Sequence, residues 1–202
     1  RLIRSPDNLG FAGGCNLGLH NSQGNILLIL NPDVRLRSDA IHALADVFTG
    51  DARLGIVGAK LLYPDGETLQ HAGGVVEYPL ATTRHHGYGE KDCGQYEEMA
   101  DVPFVTGAAL ALRRETLAEI GGFDAGFFPV YYEDVDLCYR ARAAGWRVAY
   151  APTVVGLHRT AASLDPTGEM YYRFYHANRM RFVLKHYTTQ QLLLDFLPAE
   201  AR

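Results

Sequence analysis

Apolar runs of two kinds alternate along this chain, and the polar breaks between them set the expected elements. Residues 25–34 read Asn-Ile-Leu-Leu-Ile-Leu-Asn-Pro-Asp-Val, a continuous apolar stretch of strand length followed by a polar turn. An unbroken run of this kind fits a strand covered on both faces, as in a parallel sheet flanked by helices. At 38–49 the period lengthens. Ile41, Leu44, Ala45 and Phe48 share one helical face, Ser38 stands where a cap belongs, and Gly50 ends the run. A strand is expected at 54–62, leading to the turn Pro64-Asp65-Gly66. Residues 71–101 hold many Gly, Tyr and His with little periodicity and are expected to form a long excursion over the mouth of a site. Residues 102–112 read as a strand running into a short helix from Arg114 to Ile120, closed by Gly121-Gly122. A helix over 133–144 ends at Gly145-Trp146, a short strand leads to His158, and a further helix runs from Gly168 to Lys185. The pattern predicts an α/β domain whose sheet is mostly parallel.

Chemistry concentrates at three points of this pattern. Glu133, Asp134 and Asp136 place three carboxylates in four residues at a helix start, beside the aromatic loop Phe127-Phe128-Pro129 and Tyr131-Tyr132. Carboxylates are favoured there by the unpaired N–H groups and the helix dipole, so an overbuilt cap explains the cluster as well as a general base, a metal or a polyhydroxylated substrate does. Asp33 falls at the C-terminal end of the first apolar run, where open α/β sheets place ligands, and Pro32 stiffens the turn that aims Asn31 and Asp33. His158 closes another apolar strand. Alone it reads as a satisfied structural histidine; with Asp33 it could complete an oxygen and nitrogen site for Mn²⁺ or Mg²⁺. His85-His86 with Cys93 reads as solvated loop residues in preference to a metal cluster.

Composition narrows the class. The chain has 202 residues, 48% hydrophobic and 21% charged, enough for one domain with its own core. A net charge of −4 gives no reason to expect nucleic acid. Three widely spaced cysteines, Cys15, Cys93 and Cys138, fit neither a zinc ribbon nor a disulfide framework and suggest a reducing, cytoplasmic setting. No apolar stretch approaches a membrane span. The helix at 168–185 interleaves Tyr171, Tyr172, Phe174, Tyr175 and Phe182 with basic residues, which suits either packing on the sheet with charges outward or peripheral contact with an anionic membrane.

The order of motifs resembles the family-2 glycosyltransferases, in particular the rhamnosyltransferase-like branch. The resemblance rests on Asn8-Leu9-Gly10-Phe11-Ala12-Gly13-Gly14, Asn31-Pro32-Asp33, Val105-Thr106-Gly107-Ala108, Glu133-Asp134-Val135-Asp136 with Arg140 and Trp146, and His158, and covers about residues 3 to 186. It implies a GT-A-like (Rossmann-like) fold and an inverting, metal-dependent sugar transfer from a nucleotide-diphosphate sugar to a saccharide or polyprenyl-linked acceptor, in cell-surface polysaccharide synthesis. By the same resemblance Asp134 is the catalytic base with Glu133 its neighbour. Asp33 and His158 are the metal ligands, Asn31 standing where many relatives carry Asp. Asn8, Gly10, Gly14, Asn31, Gly107, Ala108, Asp136, Arg140 and Trp146 belong to the substrate site.

The family's opening strand, helix and second strand, which hold the nucleotide base, have no counterpart before Arg1. The expectation is a catalytic core at 1–187 lacking its first βαβ unit, then the start of another helix at 188–202. A sheet so opened is expected to expose an edge and to self-associate. The competing reading is a non-catalytic carbohydrate- or nucleotide-binding module derived from a transferase.

Overall fold

A computed structural model describes residues 2–159 and 168–202. The main sheet has the strand order β1-β8-β3-β9-β2, with β4 extending β3 and β7 extending β9. The strands are β1 Ile26–Leu30, β2 Val34–Leu36, β3 Leu54–Leu62, β4 Leu69–His71, β7 Ala100–Asp101, β8 Ala109–Arg113 and β9 Arg147–His158. The remaining two, β5 Gly74–Glu77 and β6 Thr82–His85, form a separate hairpin. The principal helices are α1 Gly10–His20, α2 Ala40–Gly50, α3 Arg114–Ile120, α4 Glu133–Ala143 and α5 Glu169–His186. Beyond α5, α6 Thr189–Gln191, a π turn Leu192–Phe196 and α7 Leu197–Glu200 form a C-terminal helical stretch. No described helix is long and apolar enough to cross a membrane.

The sheet is mixed, which corrects the expectation of a mostly parallel one. Among its described pairings only β3 with β9 is parallel; β1–β8, β8–β3 and β9–β2 are antiparallel. The misreading has a physical source. Burial on both faces produces an unbroken apolar run whatever the direction of the neighbours, and all nine residues of β3 are buried. The two faces carry different side chains. Ala109, Ala111, Ala149 and Ala151 lie under α2, so that helix settles close with Ala40, Leu44 and Phe48 inward. Leu110, Leu112, Val148 and Tyr150 fill the opposite layer with α4 and α5. Each large apolar side chain so buried contributes about 1.5–3 kcal/mol.

Smaller departures follow from tertiary contacts. The first helix of the pattern begins at Ala40 rather than Ser38, with Asp39 at its N-cap and no side-chain cap bond. Ile41, expected inward, is 54% exposed, because the inward stripe runs Ala40, Leu44, Phe48 at a spacing of four. Arg113 closes the other end of α2. Its guanidinium donates to the carbonyl oxygens of Leu54 (2.7 Å), Asp51 (2.8 Å) and Phe48, satisfying groups a helix end leaves open. The expected excursion at 71–101 contains the β5–β6 hairpin, whose turn is docked on the C-terminal half. Tyr132, Arg179 and Tyr187 donate to the carbonyl oxygens of Ala81, Leu80 and Pro79 at 2.7, 2.7 and 3.0 Å. Among the described residues β1 pairs with β8 alone and forms one edge of the sheet.

Candidate active site

The C-terminal end of β1, the start of β8 and the N-terminus of α4 converge on a cavity of about 330 Å³. Asn31, Gly107 and Ala108 lie at its base, Glu133 and Asp134 on one wall, and Tyr131, Tyr171 and Tyr175 on another. His158, Gln70, His71 and His85 complete the side nearest the hairpin.

Asp134 is aimed by an over-determined loop. Tyr131 and Tyr132 adopt φ of +83° and +70°, a left-handed conformation that costs side-chain-bearing residues of order 1–3 kcal/mol each. Asn178 of α5 holds them there. Its buried amide donates to the carbonyl oxygens of Phe127 (2.9 Å), Val130 (2.9 Å) and Tyr131 (3.1 Å). The turn into α4 then sets the Asp134 carboxylate against two backbone amides, Gly107 N–H on Oδ2 and Val135 N–H on Oδ1, both at 2.8 Å. Gly107 makes this approach possible: a Cβ there would meet the Phe11 ring at 2.8 Å.

The neighbouring carboxyls have separated properties. Glu133 is buried, and its Oε2 has no hydrogen-bond partner among the described residues. Burial, then the charge of Asp134, pushes its pKa well above the ordinary value. Burial also raises Asp134, but the Gly107 and Val135 amides stabilise its ionised form and oppose the rise. The pair therefore favours a protonated Glu133 beside a half-buried Asp134 carboxylate that reaches the cavity.

Asp33 and His158 are brought together on adjacent strands: Val34 is in register with His158, and Asp33 Oδ1 lies 3.3 Å from His158 Nε2. On the far side of the ring, Nδ1 donates to Gln70 Oε1, an atom that only accepts, and this contact fixes the ring with Nε2 towards Asp33. An imidazole oriented by an amide oxygen, next to a carboxylate, is a donor set that fits Mn²⁺ or Mg²⁺. No group of three His, Cys, Asp or Glu that could hold an ion occurs among the described residues.

The other expected substrate residues divide. Asn31, Gly107 and Ala108 line the cavity; Asn8, Gly10, Gly14, Asp136, Arg140 and Trp146 do not. Asp136 is fully buried behind Asp134 and is engaged by Arg140 Nε (2.8 Å), Lys185 (2.7 Å) and His186 (2.8 Å). Arg140 also donates to the carbonyl oxygens of Ile120 and Gly122. Trp146, at the far end of α4, donates to Glu119 and packs over Gly55. Gly10 and Gly14 belong to helix α1 rather than to an open loop, and Asn8 stands just before its N-cap Leu9, Oδ1 accepting from Gly10 N–H at 3.0 Å. Sequence reading missed Gln70, His71, Phe11, Asn178 and the tyrosine wall. Gln70-His71 at the end of a short strand carried no periodic signal; only the pair Tyr131-Tyr132 beside the acidic cluster pointed the way.

A sequence model described as "Glycosyltransferase like family 2" matches residues 1–185. The chain belongs to this family. Among family-2 relatives, the N-acetylglucosaminyl-diphospho-decaprenol L-rhamnosyltransferase of Mycobacterium tuberculosis is 28% identical over 193 residues, covering 84% of this chain and 62% of that enzyme. GalNAc-T7, solved with UDP, GalNAc and Mn²⁺, shares the fold with a TM-score of 0.67 at 15% identity, over 90% of this chain and 35% of its own. The mannosyltransferase PcManGT of Pyrobaculum calidifontis, solved with GDP-Man and Mn²⁺, gives 0.55 at 19% identity, over 89% of this chain and 44% of its own. The α/β, GT-A-like class follows from these likenesses. The chain spans less than two thirds of the length of each of these three proteins.

Proposed function

We propose that this chain carries the catalytic centre of an inverting glycosyltransferase, which moves a sugar from a nucleotide-diphosphate donor to a hydroxyl of a saccharide acceptor. The observation that supports this most is the Asp134 carboxylate, fixed by two amides at the edge of a cavity large enough for a sugar ring. In a single displacement Asp134 takes the acceptor hydroxyl proton as that oxygen bonds to the anomeric carbon. The bond from that carbon to the diphosphate breaks, and its electron pair leaves with the nucleotide. Asp33 and His158 would hold a divalent ion, whose charge, when bound, offsets that of the departing diphosphate. Gly107 and Val135 hold the base, and Glu133, kept protonated, adds no second charge beside it.

Rhamnose as the transferred sugar, a lipid-linked acceptor and a place in surface-polysaccharide synthesis are finer extensions, supported by the name of the mycobacterial relative. Exposed Leu184, Leu193 and Leu194 on the C-terminal helices are compatible with a lipid chain nearby. The deciding experiment is calorimetric titration of dTDP into the chain, with Mn²⁺ and with chelator. Asp33→Ala and His158→Ala should each weaken the Mn²⁺-dependent part, and the double variant should cost less than their sum because both act through one ion. Equal dTDP affinity with and without Mn²⁺ would remove the ion from the proposal.

A further inference from the structure

His71 and His85 form a pair whose protons can be assigned from their contacts. The two Nδ1 atoms lie 2.9 Å apart, so one donates and the other accepts. Thr106 N–H donates to His71 Nε2 at 3.3 Å, which places a lone pair on that nitrogen. A neutral His71 therefore carries its proton on Nδ1 and gives it to His85 Nδ1, and His85 in turn carries its own on Nε2. Burial, the first cause for both rings, lowers their pKa values, His85 to about 4, so both are neutral near pH 7. His85 Nε2 has no hydrogen-bond partner among the described residues, and the ring lines the cavity that holds Asp134. Consecutive amides mount the two groups: Thr106 N–H holds His71, and Gly107 N–H holds Asp134.

The rest of the wall indicates what this donor meets. Tyr88, Phe104, Tyr131, Tyr171 and Tyr175 give an aromatic surround, and no Lys or Arg lines the cavity among the described residues. Away from the corner where His158 meets Asp33, such a wall suits the apolar face of a sugar ring better than a phosphate. We propose that His85 Nε2–H is a hydrogen-bond donor to a hydroxyl oxygen of the acceptor saccharide, with His71 the positioning residue that fixes its tautomer. This rests on the transferase reading of the cavity.

Two measurements test it on the full chain. Long-range ¹⁵N–¹H spectra of labelled histidine at pH 7 should show His71 protonated on Nδ1 and His85 on Nε2; the opposite tautomer at His85 overturns the proposal whatever the enzyme transfers. Binding is then followed with methyl N-acetylglucosaminide and with N-acetylglucosaminyl diphosphate as probes. His85→Asn keeps an oxygen where Nδ1 stood, so the contact to His71 survives, but it loses the donor at Nε2; His85→Gln carries an amide N–H out to that position. The Asn variant should weaken both probes roughly three- to tenfold, as loss of one neutral hydrogen bond does, the Gln variant should stay within about twofold, and dTDP affinity should not move. Unchanged binding in His85→Asn overturns the donor role, as does a loss confined to the diphosphate probe. Failure of both probes to bind the parent chain, with the tautomers as assigned, instead overturns the acceptor reading of the cavity.

Discussion

Asp134 and Asp136 are two residues apart on one helix, carry the same side chain, and occupy opposite environments. Asp134 reaches the cavity and, among the described residues, is held by backbone amides, which stabilise its charge without matching it. Asp136 is sealed behind it against Arg140, Lys185 and His186. Burial pushes the Asp136 carboxyl up, but the hydrogen bonds of His186 and Lys185 and the Arg140 charge outweigh it and hold the group below its ordinary value. The carboxylate proposed to react is held by neutral dipoles, and the one that anchors is matched by cations. The difference lies in what a helix turn of about 100° per residue places opposite each side chain.

The sharpest way to break the comparison is exchange of function for stability. Asp134→Asn should lower sugar transfer by about 10²–10⁴-fold, with thermal stability equal to the parent's or higher, because a buried charge is removed. More than about a tenth of parental turnover would reject the base role. Asp136→Asn should do the reverse, destabilising the fold by about 1–3 kcal/mol by removing the charge that Arg140 and Lys185 share, as denaturant titration would show. The pH dependence has a fixed sign. A carboxyl lowered in the folded state adds stability above its unfolded pKa, about 3.9, which disappears as pH falls through the folded value. The gap between parent and Asp136→Asn should therefore close in that acid window.

Gly107→Ala should cost about 1–3 kcal/mol by overpacking against Phe11, and should reduce transfer because the same residue mounts Asp134. A stable variant with unaltered turnover would show that Phe11 gives way freely. Glu133→Gln should have the smallest effect, less than about tenfold on transfer, since an amide resembles the protonated acid that burial favours there. The acid limb of the rate profile, set by the raised Asp134, should lie above the ordinary carboxylate range and stay in place in Glu133→Gln. A limb that moves to lower pH would mean that Glu133 is ionised beside the base.

Elements whose determinants are local were legible in the sequence: β3 spans 54–62 as its apolar run predicts, and α3 runs from Arg114 to Ile120 before its glycine pair. Parallel and antiparallel neighbours impose the same burial on a strand, so the direction of β8 was hidden. The acidic cluster announced a site but not the division of labour within it, because the side chains that claim Asp136 include Lys185 and His186, some 50 residues downstream. His85 was read as a solvated loop residue beside Cys93; its partner is His71, and the hairpin that joins them has no strong alternating pattern in its sequence.

The clamp made by Asn178 has a consequence for how the protein comes into being. The carbonyl groups it gathers, those of Phe127, Val130 and Tyr131, precede it by 51, 48 and 47 residues. A chain growing from a ribosome at about 5–20 residues per second exposes the loop before Asn178 exists to fasten it. Every described strand of the sheet is complete by then, yet the loop that carries the proposed base still lacks its latch. The scaffold can be assembled while this loop is still unfastened, and fastening waits for one late asparagine.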